Sequence, residues 1–263
     1  MLVAVDVGNT QTVIGLFAPG DGPGGSSPQL LHHWRVATVA SRTADELALL
    51  VDQLFQLRGL DPEEAISGVA VASVVPRQRT ALREMTQRWL KVDTVIVEPG
   101  VRTGMPILYD NPKEVGADRI ADAVAAYERY GGPTIVVDFG TATTFEVVSE
   151  RGEYLGGVIL PGIEVSLEAL FSRAALLPRV ELVEPRSVLA KNTVESIQSG
   201  VIYGFAAQVD GLCGRLVDEL GPATVVATGG LAGLIGPYSA AIEHHEPWLT
   251  LEGLRIIFGR NQL

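Results

Sequence analysis

The sequence predicts a mixed α/β fold built from two similar halves, each with the element order βββαβαβ. A strand-turn-strand pattern at Val3–Thr12 returns at Ile135–Thr144, so that Asp6 recurs as Asp138, 132 residues later. In each half three predicted strands come first, and helices then alternate with strands, which is typical of mixed α/β domains and not of an all-parallel sheet. With 47% hydrophobic residues, the chain can form a core in both halves.

The first half begins with an apolar strand that delivers Asp6 to a turn. Helix-start residues at Ser41–Glu46 precede leucines at helical spacing, and Gly59 ends that run. The Pro19–Pro28 loop is rich in glycine and proline, which predicts a mobile hairpin end. The further predicted elements are strands at Gln11–Phe17 and Leu30–Val39, a helix at Leu47–Leu57, a strand at Ile66–Val75, a helix at Arg79–Leu90 and a strand at Val92–Val97.

The second half repeats this order after a helix at Arg119–Tyr130. The X-Pro pair Asn111-Pro112 resists helix and predicts the joint, which gives domains at residues 1–112 and 113–263. The predicted elements are strands at Thr134–Asp138, Thr143–Val148 and Tyr154–Leu160, a helix from Gly162 through Phe171, a helix at Val194–Leu220, and strands at Thr224–Ala227 and Leu254–Phe258.

The composition excludes several classes of partner. A net charge of −11 argues against nucleic acid or an anionic membrane. The three lysines lie outside glycine-rich loops, so a bound phosphate would need backbone donors, a metal ion and arginine. The start of the chain lacks a basic leader, and no apolar stretch reaches membrane-spanning length, so we expect a cytoplasmic protein.

Cysteine and histidine are used sparingly. The single cysteine, Cys213, excludes an internal disulfide and a thiolate zinc cluster, and its neighbours predict a packed helix. The histidines form two adjacent pairs, His32-His33 and His244-His245, whose side chains point apart and therefore predict surface residues. Nucleophile-elbow, Walker and Cys-x-x-Cys motifs do not occur, which removes common hydrolase, P-loop and redox interpretations.

Each repeated turn presents a carboxylate, then a glycine, then hydroxyl or amide side chains. Such a turn suits phosphate and its metal ion. An Asp-x-Gly sequence after a strand is also ordinary turn chemistry, because Asp bonds its own backbone and Gly relieves the φ restriction. Two copies, one heading each half, favour a ligand shared by two similar domains.

Six motifs in order resemble type III pantothenate kinases, a family of the acetate kinase, sugar kinase, Hsp70 and actin superfamily. Members of that superfamily hold ATP in the cleft between two duplicated ribonuclease-H-like domains. The resemblance spans almost the whole chain. The motifs are Asp6-Val7-Gly8-Asn9-Thr10, Val71-Ala72-Ser73-Val74-Val75-Pro76, Gly116-Ala117-Asp118-Arg119, Asp138-Phe139-Gly140-Thr141-Ala142-Thr143-Thr144, Gly156-Gly157-x-Ile159-x-Pro161-Gly162, and Asn192-Thr193 with Ser196-Ile197-x-Ser199-Gly200.

The resemblance implies ATP-dependent phosphorylation of the primary hydroxyl of pantothenate to 4′-phosphopantothenate, the first step of coenzyme A biosynthesis. It assigns Asp138 to a monovalent cation, K⁺ or NH₄⁺, and places Asp6 near the magnesium of Mg-ATP. The residues that it assigns to ATP are Asp6, Val7, Gly8, Asn9, Thr10, Gln11, Thr12, Val13 and Thr141.

The resemblance also implies a homodimer whose pantothenate site lies near the subunit interface. It assigns Asp118 as the base that takes the proton from the alcohol. Arg119 beside it has the fork geometry to hold a carboxylate or a phosphate oxygen. The residues assigned to pantothenate are Tyr109, Gly116, Ala117, Asp118, Arg119 and Thr193.

Structural interpretations of these residues stay open at this point. Asp118 is also a candidate cap for the helix that starts at Arg119, Thr193 a candidate helix start with Glu195, and Tyr109 a candidate core aromatic. Two other functions also stay open. One is a phosphatase or kinase acting on another small alcohol or acid, and the other is a nucleotide-dependent regulator, although no basic stripe supports contact with DNA.

Overall fold

The computed structural model describes residues 1–19 and 28–262, which form two five-stranded mixed sheets. The first sheet has the strand order β3-β2-β1-β4-β5, with β2 antiparallel to β1 and β4 parallel to it. Most of the loop predicted to be mobile, residues 20–27, lies outside the described residues. The strands are β1 (Leu2–Val7), β2 (Gln11–Phe17), β3 (Leu30–Ala37), β4 (Gly68–Ser73) and β5 (Asp93–Ile96).

The second sheet repeats the first, strand for strand. Its order is β8-β7-β6-β9-β10, again with an antiparallel neighbour on one side of the central strand and a parallel neighbour on the other. This equivalence confirms the predicted α/β fold with two copies of one topology. The strands are β6 (Thr134–Phe139), β7 (Ala142–Val148), β8 (Tyr154–Pro161), β9 (Thr224–Thr228) and β10 (His244–His245).

Eight α-helices connect and cover the strands in the described part of the chain. Helix α1 begins with a complete capping box, in which Thr43 accepts from the backbone N–H of Glu46 and the Glu46 side chain accepts in return. The helices are α1 (Ala44–Gln56), α2 (Pro62–Ala65), α3 (Pro76–Met85), α4 (Ala117–Tyr130), α5 (Ile163–Arg173), α6 (Thr193–Leu220), α7 (Ala232–Ile235) and α8 (Leu249–Arg260).

The predicted last strand, Leu254–Phe258, is wrong: these residues belong to helix α8. Leu251, Leu254 and Ile257 recur every three residues and are all buried. This spacing gives a helix one apolar face, and burial of that face stabilises the helix despite the β-branched residues. Leu251 and Phe258 pack where the first sheet lacks side chains, at glycines 15 and 68. The fifth strand of the second sheet is instead the short β10.

The residues group into two compact units. The first unit comprises residues 1–105, 110–125 and 250–263, and the second comprises 106–109 and 126–249. These units differ from the predicted division at 112/113, because the start of α4 and all of α8 after Leu249 group with the first sheet. A single boundary in the sequence cannot describe these units, because α8 lies near the end of the chain but groups with the first sheet.

The second unit has its main core between the second sheet and α5 and α6. Val137, Phe139 and Phe145 of the central strands contribute to it, together with Ile202 of α6. Cys213 is buried in α6, and desolvation followed by the nearby Asp210 charge raises the pKa of its thiol to about 12. The prediction of a packed, structural cysteine is therefore confirmed.

Candidate active site

The first repeated turn joins β1 to β2 through residues 8–10. The backbone N–H of Gly8 donates to the carbonyl of Gln11 at 3.0 Å, which closes the turn. A Cβ on Gly8 would lie 3.1 Å from that same carbonyl, so glycine fits this position with the least strain. Asp6 is partly buried at the end of β1, and Asn9 and Thr10 are exposed.

Two side chains of this turn already have partners within the first unit. Arg35 of β3 donates to the Gln11 side chain at 3.0 Å, and the hydroxyls of Thr12 and Thr38 lie 2.8 Å apart. These contacts fix the far side of the turn. Thr38 was not among the predicted site residues, since nothing in the sequence pairs it with Thr12.

Asp6 shares its surroundings with Asp118, which also belongs to the first unit. Desolvation, and after it the charge of Asp118, raises the pKa of Asp6 to about 7. A carboxylate in this state gains much from a bound cation, because the cation favours the charged form. In the absence of a cation, burial and the Asp118 charge therefore disfavour the ionised form of Asp6.

Asp118 lies in the first turn of α4, which begins at Ala117 and not at Arg119 as predicted. Its Oδ1 atom accepts the backbone N–H of Arg119 at 2.9 Å. A Cβ on Gly116 would lie only 2.3 Å from this Oδ1, so the bare glycine makes room for the carboxylate. Because Asp118 follows the first helical residue, it does not occupy the cap position that the structural interpretation gave it.

The environment of Asp118 raises its pKa. Desolvation is the main cause, opposed by the Arg119 backbone N–H and guanidinium charge. A carboxylate shifted in this direction is a stronger base than an exposed one. Such a group can accept a proton from an alcohol, provided that the alcohol oxygen comes within hydrogen-bond reach.

The second repeated turn is one residue shorter than the first. Asp138 pairs with Thr144 across β6 and β7, whereas Asp6 pairs with Val13 across β1 and β2. The sequence repeat aligns Thr12 with Thr144, but the structural counterpart of Thr12 is Thr143, which pairs with the residue that follows the aspartate. Thr141 is exposed at the tip of this turn.

Tyr109 is partly buried and lies in a segment that joins the second sheet. The backbone N–H of Leu108 donates to the Tyr154 carbonyl at 2.8 Å, and the N–H of Tyr154 donates to the Pro106 carbonyl at 2.9 Å. The ring of Tyr109 packs edge-on against Tyr154, with centroids 6.3 Å apart. Tyr109 is thus held at the edge of β8 and is not a core aromatic.

Thr193 is the first residue of α6, and Asn192 is its cap. The Asn192 side chain accepts the backbone N–H of Glu195 at 2.9 Å, and the Thr193 side chain is exposed. Thr193 lines an open groove between α5 and α6, together with Lys191 and Leu170. Thr193 thus lies at the start of the helix, as its structural interpretation predicted, but the capping side chain is that of Asn192.

Comparison with known proteins decides the family. A model of type III pantothenate kinases matches residues 2–215, most of the chain. The chain belongs to the type III pantothenate kinase family. A curated type III pantothenate kinase from Myxococcus xanthus is 55% identical over 262 residues, which cover 99% of each protein.

Solved structures with this fold are much more distant in sequence. A Campylobacter jejuni protein assigned to the Baf family of transcriptional activators has a TM-score of 0.58 at 19% identity and covers 99% of this chain and 98% of its own. A candidate N-acetylmannosamine kinase from Listeria monocytogenes has a TM-score of 0.54 at 13% identity and covers 100% and 99%. At these identities the likeness concerns the fold alone.

Two glycines, Gly162 of a family motif and Gly229 after β9, approach the second turn in a way that the sequence did not predict. A Cβ on Gly162 would lie 2.3 Å from the Thr141 carbonyl, and one on Gly229 would lie 2.2 Å from Oδ1 of Asp138. Gly229 also has φ of +91°, a left-handed conformation that other residues rarely adopt. The contact of these glycines with the aspartate and its turn depends on tertiary structure, so it could not be recognised from the sequence.

The described residues offer no cluster of three or more His, Cys, Asp or Glu side chains that could hold a metal ion by themselves. In the same part of the chain, no helix is both long and apolar enough to span a membrane. His244 and His245 are exposed, as predicted.

Proposed function

We propose that this chain phosphorylates the primary hydroxyl of pantothenate with ATP to give 4′-phosphopantothenate, the entry step of coenzyme A biosynthesis. Membership of the type III pantothenate kinase family supports this activity. The observation that carries it is the Gly116–Arg119 segment, where a bare glycine accommodates a carboxylate whose pKa is raised. That group is the general base that an alcohol acceptor requires.

The first turn, Asp6 to Val13, binds the phosphates of ATP, and Thr141 of the second turn adds a further contact. The turn contains no lysine. Its hydrogen-bond donors to the phosphates are its backbone N–H groups and the exposed side chains of Asn9 and Thr10. Asp6 faces the magnesium shell, since a cation there favours the ionised form of a carboxylate with pKa near 7. When bound, Mg²⁺ neutralises charge on the phosphates.

Asp118 accepts the proton of the alcohol as the oxygen forms its bond to the γ-phosphorus. The bond from that phosphorus to the bridging oxygen breaks, and ADP leaves. Phosphoryl transfer depends mainly on alignment and charge neutralisation, so a single well-placed base is sufficient. Arg119 binds the carboxylate of pantothenate or a phosphate oxygen in a fork geometry.

The pantothenate site consists of Tyr109, Gly116, Ala117, Asp118, Arg119 and Thr193. Tyr109 is held at the edge of β8 with an amphipathic ring, which suits a substrate with both apolar and polar parts. Thr193 presents an exposed hydroxyl in the groove between α5 and α6. These residues supply recognition and Asp118 supplies the chemistry.

Asp138 holds the monovalent cation, K⁺ or NH₄⁺. The position suits a cation by its charge, and no side chain from Gly229 or Gly140 lies against the carboxylate: an added Cβ on Gly229 would lie 2.2 Å from Oδ1, and one on Gly140 would lie 3.4 Å from Oδ2. When bound, the ion supplies one further positive charge to a chain that is poor in lysine.

The active form is a homodimer. Leu176 is 94% exposed and Leu189 is 79% exposed, and they adjoin in sequence Leu177 and Ala190, which line the groove between α5 and α6. Large exposed apolar side chains beside a groove are typical of association surfaces. Multi-angle light scattering on the purified chain tests the dimer, and a single monomeric mass at micromolar concentration contradicts it.

ADP release measured with purified protein, Mg-ATP and K⁺, with and without pantothenate, tests the kinase proposal. We expect release to depend on pantothenate, and mass spectrometry to find one added phosphate on it. Asp118→Asn is the control for contaminating ATPase. Release that ignores pantothenate, or that depends on a different alcohol, contradicts the proposal.

A further inference from the structure

Asp138 is flanked by hydroxyl residues on both sides of its strand. Antiparallel pairing places Thr144 of β7 opposite Asp138, and parallel pairing places Thr228 of β9 beside it. Paired residues on neighbouring strands point to the same face of a sheet, with Cβ atoms about 4.5–5.5 Å apart in antiparallel pairs. Two hydroxyl groups and one carboxylate therefore form a row across three strands.

The equivalent aspartate of the first sheet has different neighbours. Asp6 pairs with Val13 of β2 and with Ala72 of β4, neither of which carries a polar side-chain atom. The two halves share one strand order, so this difference is a property of the sequences and not of the topology. Only the second copy surrounds its carboxylate with further oxygen atoms from neighbouring strands.

Burial makes the hydroxyls of this row unusual. Thr228 is only 2% exposed, and Oγ1 of Thr144 is buried without a hydrogen-bond partner among residues 1–19 and 28–262. Burying a hydroxyl costs free energy unless a partner compensates for the lost water. A cation is such a partner, since the lone pairs of a hydroxyl oxygen can coordinate it.

The charge of the row matches a singly charged ion. One carboxylate with neutral hydroxyls carries a single negative charge, and the described residues lack the cluster of acidic side chains that a protein site for a divalent ion commonly uses. Neutral oxygen dipoles replace the hydration shell of K⁺ effectively in proteins.

We infer that Thr144 and Thr228 provide hydroxyl ligands to the monovalent cation held by Asp138. This inference rests on the proposed function, which supplies the cation. It adds two residues to the site and explains why the repeated aspartates serve different ions. Gly229 is needed beside this row, because a Cβ there would lie 2.2 Å from Oδ1 of Asp138 and displace the carboxylate.

The test uses Thr144→Val and Thr228→Val, which replace each hydroxyl by a methyl group of similar size. Thr143→Val is the matched control, because Thr143 also has a buried hydroxyl without a partner in the described residues but pairs with Phe139, on the opposite face. The thermal unfolding midpoint is measured against KCl concentration, with choline chloride holding the ionic strength constant. A ligand that binds only the folded state raises this midpoint with concentration.

We expect the natural protein and Thr143→Val to be stabilised by K⁺ at the same half-saturating concentration. For Thr144→Val and Thr228→Val that concentration should rise by at least about tenfold, as loss of a site oxygen weakens affinity. Half-saturation within twofold of the natural protein in both variants overturns the inference.

Two outcomes separate this inference from the kinase proposal. A natural protein that transfers phosphate to pantothenate but shows no stabilisation by K⁺ overturns the hydroxyl ligands and leaves the kinase proposal intact. A protein that is stabilised by K⁺ through Thr144, yet releases no ADP with pantothenate, supports the ligands and contradicts the proposed substrate.

Discussion

Asp6 at the end of β1 and Asp118 in the first turn of α4 are electrostatically coupled. Desolvation first, and the charge of Asp118 second, raise the pKa of Asp6 to about 7. The two residues belong to different predicted motifs, one assigned to Mg-ATP and one to proton transfer. Their coupling means that the charge of Asp6 depends on the charge of Asp118, so a change of pH or a bound ligand affects both residues together.

Asp6→Asn should stabilise the ligand-free protein at neutral and alkaline pH. In the natural protein Asp6 has a raised folded-state pKa, so the folded chain binds more protons than the unfolded chain between about pH 4 and 7, and its stability falls as pH rises through that range. Asparagine does not titrate. The difference in unfolding midpoint between variant and natural protein should therefore grow up to about pH 7 and then stay constant.

Thermal unfolding without nucleotide from pH 5 to 9 checks this expectation. Asp218→Asn, at an exposed position of α6, is the control for loss of one negative charge. Parallel curves for Asp6→Asn and the natural protein would show that Asp6 does not carry the raised pKa.

The same variant should lose Mg-ATP turnover, because the amide cannot offer a charge to the metal.

The sequence predicted the central strands well because their signal is local. The apolar runs that end in Asp6 and Asp138 form the middle strands of the two sheets, buried on both faces. Strand β2 and the long helix α6 also lie within one residue of their predicted bounds. Each of these elements has a periodicity or an apolar run that agrees with its tertiary environment.

The last part of the chain was predicted incorrectly because tertiary packing decided it. Residues 254–258 contain β-branched and aromatic side chains that favour a strand, yet helix α8 fills the space above glycines 15 and 68 of the first sheet. Strand β10 has only His244 and His245, which lack an apolar pattern altogether. Contacts between distant glycines and the second turn were unpredictable for the same reason.

Gly229→Ala should remove the response to K⁺ and lower stability. An added Cβ would lie 2.2 Å from Oδ1 of Asp138, and the left-handed φ of +91° costs alanine about 1–2 kcal/mol. Gly221→Ala is the matched control, since its φ is +87° and no atom lies within 4 Å of its added Cβ. Both variants should melt earlier, but only Gly229→Ala should lose stabilisation by KCl. An intact K⁺ response in Gly229→Ala would mean that Asp138 tolerates displacement.

Gly116→Ala should reduce kcat by about 10² while the protein stays folded, because a misplaced catalytic group of this kind has roughly that effect. The added Cβ would lie 2.3 Å from Oδ1 of Asp118 and would force the carboxylate to turn away. Gly211→Ala in α6 is the control: its added Cβ meets no atom within 4 Å, and alanine favours the helix. Steady-state kinetics and circular dichroism are measured on both variants. An unchanged kcat in Gly116→Ala would show that catalysis does not depend on the position of the Asp118 carboxylate seen here.

Asp118→Asn gives the sharpest separation of catalysis from structure. Asparagine has the same size and retains an oxygen that can accept the Arg119 backbone N–H, so the start of α4 should persist. A neutral amide cannot take the proton of the alcohol, so turnover should fall by roughly 10² to 10⁴ while pantothenate binding is largely kept.

Unfolding midpoint, calorimetric pantothenate binding and steady-state rate are measured on one preparation of Asp118→Asn. Loss of a buried charge whose pKa is raised by desolvation should leave the variant as stable as the natural protein or more so at pH 8, since the folded state no longer holds that charge away from water. A purely structural role predicts that stability and turnover both stay nearly unchanged, because asparagine keeps the hydrogen bond to the Arg119 backbone N–H. A stable variant with intact binding and a lost rate identifies the base, and a rate within a few-fold of the natural protein limits Asp118 to stabilising the first turn of α4.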